Sequence, residues 1–380
     1  MPFPHAAPHL SALPGSVYSD LVERLAAHDG PVYPLHVGDT WMEPLAAAQA
    51  QALQTADHPG MHRYSPPRGL PALVDALVEK LRARNGLMVE RSGVLVTGGA
   101  TAGLAQVMQA LLSPGDEVAI LAPFWPLIRG HVQLAHGVPV EVPFYDRVTS
   151  LADAVQSIRE RVGPRTVGLY VSTPSNPTGR VLPGEWLQAI AALARELDLW
   201  LISDETYENY VFSGRHESVG RWAPERTITA FTFSKAYGMA GTRVGYLCGP
   251  QDILAATAKV HTHALYCAPR PAQEAALVAL REGDAWIAKA KRHYQAAGVD
   301  AARVLGLPAP EGSTFLFLDV RERPEGVMGL LESLVQRGML LAPGASFGQE
   351  YASHVRLCFT AAPPQEVATA VRVLKDVLEG

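Results

Sequence analysis

The stretch that most restricts how this chain can fold spans residues 232–246. An apolar, β-branched run over residues 227–233 predicts a strand that ends at Ser234 and Lys235, and a glycine-rich turn then leads to Arg243. In an open α/β sheet, ligands bind at the carboxyl ends of the strands. The pattern therefore predicts a serine, a lysine and an arginine together at a ligand-binding edge.

These residue types indicate one kind of ligand. A lysine amine forms a Schiff base with a carbonyl group, and the planar guanidinium of arginine suits a phosphate. A Ser-Lys pair alone is more often a surface feature. The complete pattern, in which Ser-Lys is followed after seven residues by Arg-x-Gly, resembles the cofactor-lysine motif of the class I/II, fold-type-I pyridoxal-phosphate aminotransferases.

The resemblance implies an α/β fold of the fold-type-I type, with a mostly parallel seven-stranded sheet sandwiched by helices and a smaller α/β domain. We expect an N-terminal arm over residues 1–30 that includes a helix over 17–27. We expect a large cofactor-binding domain over 46–284, and a small domain from 31–45 together with 285–380. A length of 380 residues agrees with two domains.

A predicted strand, glycine turn and helix over residues 93–112 form an anion site of free backbone N–H groups. A dinucleotide-binding fold would need an acidic residue at the end of the next strand, whereas Asp116 and Glu117 precede it, so we reject that alternative. The resemblance implies that four residues hold the cofactor phosphate: Ala100, Thr101, Ser234 and Arg243.

Segments after three other predicted strands resemble the family segments that hold the cofactor ring. The resemblance implies that Trp125, rather than Phe124, stacks on the ring, and that Asn176 and Tyr207 donate to its phenolic oxygen. Asp204 ends an apolar strand, where a buried carboxylate needs a cation. The resemblance implies that this cation is the protonated ring nitrogen of the cofactor. A metal ion bound by Asp204 and Glu205 is the alternative, although no histidine is nearby in the sequence.

Arg356 is a charged residue inside an apolar strand predicted over 354–359, where a planar guanidinium suits a carboxylate. A structural salt bridge is the competing interpretation. The resemblance implies that Arg356 binds the substrate α-carboxylate with Asn176 and Gly38, which follows a short strand predicted from residue 35. The implied catalytic residues are Lys235, Asp204 and Tyr207.

The implied activity is ping-pong Schiff-base transfer of an α-amino group from an amino acid to a 2-oxo acid. Dicarboxylate-specific family members carry a second arginine, and a rough alignment gives His263 there instead. Together with Trp41 near the entrance turn, this predicts a donor with a neutral or aromatic side chain. A C–S β-lyase or cyclising synthase is the alternative. A regulatory binding module is a distant one, because residues 1–40 have no room for a helix-turn-helix.

The remaining expectations concern partners and location. Tyr64 resembles the family tyrosine that reaches the phosphate in the neighbouring subunit, which implies a homodimer with a shared active site. A net charge of −5 without a basic run argues against nucleic acid, and no apolar stretch is long enough for a membrane span. Three scattered cysteines and the lack of a signal peptide predict a cytoplasmic protein.

Overall fold

Two sheets organise the computed structural model, which describes residues 7–13, 15 and 19–380. The larger sheet contains β1 (Val94–Thr97), β2 (Glu117–Ala122), β3 (Val138–Pro143), β4 (Thr166–Ser172), β5 (Trp200–Asp204), β6 (Thr227–Thr232) and β7 (Gly245–Cys248). The smaller sheet contains β8 (Phe315–Asp319), β9 (Ala342–Pro343) and β10 (His354–Cys358).

The larger sheet has the strand order β1-β7-β6-β5-β4-β2-β3. β7 is antiparallel to both of its neighbours, and the other pairs are parallel. Because both faces of the sheet are covered by helices, its central strands are apolar along their length rather than alternating. The predicted mostly parallel seven-stranded sheet is thus confirmed.

The described helices are α1 (Ser19–Ala26), α2 (Pro71–Lys80), α3 (Gly99–Leu111), α4 (Leu127–Leu134), α5 (Leu151–Arg159), α6 (Gly184–Glu196), α7 (Phe233–Ala236), α8 (Gln251–Ala264), α9 (Arg270–Glu282), α10 (Asp284–Leu305), α11 (Gly326–Val335) and α12 (Pro364–Glu379). Helices α3, α4 and α8 pack on one face of the larger sheet. Helices α2, α5, α6 and α9 cover the other face. Among the residues described, no helix has the length and apolar character that a membrane crossing requires.

The smaller sheet is antiparallel, in the order β8-β10-β9. It shares a core with α1, α10, α11 and α12. This arrangement confirms the smaller α/β unit, whereas the residue boundaries of the two domains stay a prediction. The first residues of the helix predicted over 17–27 lie outside the described residues.

Two predicted strands near the small sheet are wrong. The segment from Leu35 to Thr40 forms turns, because Leu35 N–H bonds back to Tyr33 O at 2.9 Å instead of to a neighbouring strand. The strand predicted over 339–342 is reduced to β9, since Met339 forms an isolated parallel bridge with Tyr33. The backbone conformation of this region is therefore set by the pairing of two short segments, around Tyr33 and Met339, that are far apart in the chain.

The strand before the lysine also ends earlier than predicted. The Thr232 hydroxyl accepts a hydrogen bond from Ser234 N–H at 3.1 Å, which caps the short helix α7. Lys235 therefore lies in a helical turn just beyond β6. The helix predicted over 284–298 is longer: α10 extends to Leu305 and is followed by the C-cap residue Gly306, which has a left-handed φ of 68°.

Candidate active site

The carboxyl edge of the larger sheet borders a cavity of about 320 Å³. Most of the predicted site residues line this one cavity: Gly38, Ala100, Thr101, Trp125, Asn176, Asp204, Tyr207, Ser234, Lys235, Arg243 and Arg356. The parallel strands β4, β5 and β6 bring the loop carrying Asn176, the end of β5 at Asp204 and the turn carrying Lys235 to the same edge. Tyr64 does not line the cavity.

One wall of the cavity is the first turn of α3, which contains Ala100 and Thr101. The Arg243 guanidinium lies against this turn and donates from Nη2 to Gly98 O at 3.4 Å. Gly99 is required there, because its φ is +86° and a Cβ would lie 2.7 Å from Arg243 Nη2. Free N–H groups, a helix dipole and a guanidinium together form an anion site.

Ser234 adds a hydroxyl to this anion site. The Thr232 hydroxyl donates to Ser234 Oγ at 2.9 Å. Because that oxygen is already an acceptor, the Ser234 proton is available for donation to a ligand. The short hydrogen-bonded turn at the end of β6 thus orients the serine and the lysine that follows it.

Lys235 is largely buried, with 16% of its side chain exposed. Its Nζ donates to Gly38 O and lies 4.0 Å from Asp39 Oδ1. Burial lowers the pKa of Lys235 below its usual value, and the nearby Asp39 carboxylate opposes that shift. A lowered pKa increases the neutral fraction of the amine, which is the form that attacks a carbonyl.

Asp204 is buried at the end of β5. Its Oδ2 accepts from the Tyr170 hydroxyl at 2.7 Å, and its Oδ1 accepts from Thr206 N–H at 3.1 Å. Burial raises the pKa of Asp204, and the hydrogen bonds from Thr206 and Tyr170 partly offset the rise. No Lys, Arg or His nitrogen of the described residues lies within 4.0 Å of this carboxylate.

The neighbouring acid points elsewhere, so the two carboxylates do not share a ligand. Glu205 Oε1 accepts from the hydroxyls of Ser203 and Ser218, each at 2.8 Å. Its Oε2 lies 2.9 Å from His216 Nε2. Because Glu205 is satisfied inside the protein while Asp204 faces the cavity, the metal interpretation of this pair finds no support in their geometry.

Arg356 is buried between two aromatic rings, with its guanidinium carbon 4.2 Å from the Phe315 ring centre and 4.8 Å from that of Phe347. Nη1 donates to Asn176 Oδ1 at 2.9 Å, and Nη2 donates to His36 O at 2.7 Å. Nε has no partner among the described residues.

A structural salt bridge, the competing interpretation of Arg356, is not present. No carboxylate of the described part of the chain lies within 4.0 Å of the guanidinium. Burying a cation without an anion is costly. The arrangement therefore suits an external carboxylate. Gly38 keeps the approach open, because a Cβ there would lie 3.0 Å from Phe315 Cζ.

Of the aromatic residues considered for the site, Trp125 and Tyr207 line the cavity, whereas Phe124 and Tyr64 do not. Trp125 is half-buried and lines the cavity, whereas Phe124 is completely buried in the core beneath it. Tyr207 is buried, packs edge-on against Phe315 at 5.6 Å between ring centres, and has a pKa raised by burial. Tyr64 is 79% exposed and contacts Tyr266 at 4.8 Å, away from the cavity.

Sequence reasoning assigned no role to several residues that the structure brings to the site, among them Tyr170, Val37 and Leu127. Tyr170 bonds to Asp204, and Val37 and Leu127 line the cavity as exposed apolar side chains. Conversely, two residues used to predict the donor do not line the cavity: His263, and Trp41, whose ring centre lies 6.3 Å from that of His293. The alternation of side chains along β4 could have indicated that Tyr170 lies near Asp204. Tyr170 is on the same face of the strand as Ser172, and Ser172 pairs with Asp204 on β5.

A buried lysine, a buried carboxylate and an unpaired buried arginine around one cavity define the site of an α/β enzyme that acts on carboxylate-bearing ligands with the help of an organic cofactor. The chain belongs to the aminotransferase class I and II family, whose family model matches residues 32–374. It is an aminotransferase, and the resemblance drawn from the sequence is confirmed.

Known relatives agree with this assignment. The aspartate/prephenate aminotransferase of Thermus thermophilus is 37% identical over 87% of this chain and 85% of its own length. Aromatic-amino-acid aminotransferase 2 of Thermococcus litoralis is 30% identical over 84% of this chain and 83% of its own length. The solved structure of Thermus thermophilus aspartate aminotransferase with maleate superposes with a TM-score of 0.89 at 32% identity, covering 99% of this chain and 100% of that one.

Proposed function

We propose that this cavity binds pyridoxal 5′-phosphate and that the chain uses it to move an α-amino group from an amino acid to a 2-oxo acid. The observation that carries the proposal is the pair of uncompensated charges on the cavity wall. Among the described residues, Asp204 has no Lys, Arg or His nitrogen and Arg356 has no carboxylate within 4.0 Å, and Lys235 lines the same cavity. A cationic ring nitrogen and a substrate carboxylate satisfy both.

The residues present fit each part of the cofactor. The first turn of α3, Ser234 and Arg243 would hold the phosphate, and Asp204 would face the ring nitrogen. Asn176 uses its Oδ1 to accept from Arg356, which leaves Nδ2 to donate, together with the Tyr207 hydroxyl, to the phenolic oxygen. The flat face of Trp125 would cover the ring. When bound, this cofactor withdraws electrons from the substrate Cα and makes its proton removable.

The protein's own residues then carry out the proton transfer. Lys235 would accept the proton from the substrate Cα at Nζ, because its lowered pKa keeps more of the amine in the neutral form. Arg356 holds the α-carboxylate, and the rings of Phe315 and Phe347 fix the guanidinium in place. Arg356, Phe315 and Phe347 are buried, so this side of the cavity is shielded from solvent.

We further propose a donor with a neutral or aromatic side chain. Apart from Lys235, Arg243 and Arg356, which the cofactor and the α-carboxylate use, no Lys, Arg or His of the described residues lines the cavity. The apolar side chains of Val37 and Leu127, exposed by 41% and 45%, line it instead. A second carboxylate would have no counter-charge in this chain, although a relative's name includes aspartate.

The quaternary proposal is a homodimer with a shared active site. Tyr64, Leu265 and Tyr266 together leave a large aromatic and aliphatic area exposed. Covering this area with a second copy would bring Tyr64 towards the partner's phosphate. We propose the cytoplasm as the compartment, which the free thiols of Cys248, Cys267 and Cys358 support.

The decisive experiment mixes purified protein with single amino acids and follows the visible absorption of the bound cofactor. Transamination predicts loss of the lysine-linked absorption by neutral or aromatic donors and its recovery on adding a 2-oxo acid. Pyruvate release from cystathionine without any acceptor would instead assign the lyase activity. Protein that binds no cofactor after incubation with pyridoxal 5′-phosphate would overturn the proposal.

A shared site can be tested by mixing two defective variants, Lys235→Ala and Tyr64→Ala. If Tyr64 acts in the neighbouring subunit, subunit exchange creates one site with both residues intact, and activity rises above the sum of the separate variants. Mixed protein whose activity equals that sum, or wild-type protein that sediments as a monomer, would refute the shared site.

A further inference from the structure

Tyr170 lies directly behind Asp204. Its side chain is fully buried in β4, and its hydroxyl donates to Asp204 Oδ2 at 2.7 Å. The ring packs in the apolar core between the larger sheet and helices α3, α4 and α8. A phenylalanine would fill the same core, so the hydroxyl needs its own explanation, because burying it is costly unless it is hydrogen-bonded.

The surroundings of Asp204 show why this hydroxyl matters. The titratable groups near enough to Asp204 to interact with its charge, among the described residues, are Tyr145, Tyr170, Glu205 and Tyr207, and none of them is a cation. Burial and, to a smaller extent, Glu205 raise the pKa of Asp204. Hydrogen bonds from Thr206 and Tyr170 favour the ionised form. Among the described residues, Tyr170 is therefore the ionisable side chain whose hydrogen bond supports the Asp204 charge.

We propose that Tyr170 is a positioning residue: its hydroxyl fixes the rotation of the Asp204 carboxylate and keeps that carboxylate ionised. This inference rests on the proposed function, in which Asp204 faces a protonated ring nitrogen. With Oδ2 held by Tyr170 and Oδ1 by Thr206 N–H, both oxygens have defined directions. A carboxylate that is already an anion stabilises the ring proton, and that proton makes the ring a strong electron acceptor.

Loss of the hydroxyl has a specific expected effect. In Tyr170→Phe, Asp204 loses a donor to its charged form, so its pKa rises and its interaction with the ring nitrogen weakens. Proton removal from the substrate Cα becomes slower, whereas Arg356 still binds the α-carboxylate. The rate constant of the donor half-reaction should fall about tenfold, whereas KM should stay within about twofold.

The chain offers a matched control in Tyr145. This tyrosine is also buried at the same edge, and its hydroxyl donates to Ser172 O at 2.6 Å and accepts from Ser172 N–H at 2.9 Å. Tyr145→Phe removes a buried, hydrogen-bonded hydroxyl without removing a donor from Asp204. Its unfolding midpoint should fall as in Tyr170→Phe, while its half-reaction rate and the pH dependence of the bound cofactor's absorption should match the wild type.

A double-mutant cycle in the cofactor-free protein tests the contact without any turnover. Thermal unfolding of Tyr170→Phe, Asp204→Asn and the double variant at pH 8 should be non-additive, because each change removes the same charged hydrogen bond. The corresponding cycle of Tyr145→Phe with Asp204→Asn should be additive within error. Additivity in the Tyr170 cycle would overturn the inference.

The outcomes distinguish this inference from the proposed function. If the wild type binds cofactor and transaminates while Tyr170→Phe keeps the wild-type rate and pH profile, only the role of Tyr170 fails. The same follows if the two phenylalanine variants lose rate equally, since the effect would then be structural. If the wild type neither binds pyridoxal 5′-phosphate nor transaminates, the proposed function fails, while the cycle in the cofactor-free protein still reports on the contact.

Discussion

Arg356 Nη1 donates to Asn176 Oδ1 at 2.9 Å, and this bond joins β10 of the smaller sheet to the loop that follows β4 of the larger one. The oxygen of the amide is thereby occupied by Arg356, and its nitrogen stays available as a donor. The two sheets meet at the place where we propose that the α-carboxylate binds. In the proposed function, one asparagine therefore connects substrate binding with cofactor orientation.

The first prediction concerns Arg356→Lys. A lysine retains the charge but loses the planar pair of donors that suits a carboxylate, so KM for the amino donor should rise and kcat/KM should fall about 10- to 100-fold, the range for a charged hydrogen bond. Steady-state kinetics measure this. Arg180→Lys is the control, because Arg180 binds the backbone oxygens of Tyr145 and Val148 outside the cavity. An unchanged KM in Arg356→Lys would remove this arginine from the substrate site.

A second prediction tests the lysine. Lys235→Ala should abolish both the visible absorption of lysine-linked cofactor and transamination, because no other amine lines the cavity among the described residues. Absorption spectra after incubation with pyridoxal 5′-phosphate give the answer. Lys80→Met is the control: Lys80 is also buried but pairs with Glu208, so its loss lowers stability and leaves the spectrum intact. Undiminished turnover in Lys235→Ala would exclude Lys235 from the mechanism.

The third prediction is a pH dependence. Burial lowers the pKa of Lys235 below its usual 10.5, and only the neutral amine reacts with the cofactor aldehyde. The rate of cofactor capture should therefore rise with pH and reach half its maximum below pH 10.5. In Asp39→Asn the midpoint should move lower still, since Asp39 favours the charged amine. Stopped-flow absorbance measures both midpoints; a midpoint that moves upward in Asp39→Asn contradicts this explanation.

The fourth prediction addresses the anion site. A Cβ on Gly245 would lie 2.7 Å from Ala100 N, so Gly245→Ala should displace the first turn of α3. We expect pyridoxal 5′-phosphate to bind at least about tenfold more weakly, with a loss of stability of about 1–3 kcal/mol from overpacking. Gly241→Ala is the control, because a Cβ there meets nothing within 4 Å. Equal cofactor dissociation constants in the two variants would argue against the α3 site.

The main site residues could be predicted because each is a polar residue at the end of an apolar strand or within one. Parallel strands bring their carboxyl ends to one edge, so Asp204 and Lys235 converge without any knowledge of side-chain packing. Arg356 stands out for a different reason, since a charge in a buried strand needs a partner. In these cases local pattern and topology agree.

Other features depend on contacts that a linear pattern does not encode. Tyr170 looks like an ordinary core aromatic until β4 is placed beside β5. The turn around Leu35 depends on a bridge between Tyr33 and Met339, which are far apart in the chain. Tyr64 is exposed in the single chain, and its proposed role depends on a second copy of the chain. The environment of such residues is set by contacts that are distant in the sequence, and the secondary-structure propensity of the local sequence does not reveal it.

The uncompensated guanidinium of Arg356 has a practical consequence for work with the purified enzyme. A buried positive charge held in an aromatic cage attracts any small organic acid that can enter, including acetate, citrate and formate from buffers. If Arg356 binds the substrate α-carboxylate as proposed above, such anions should compete with the amino donor and raise its apparent KM. Donor preferences should therefore be ranked in amine sulfonate buffers, where the anion is bulkier and fits this slot poorly.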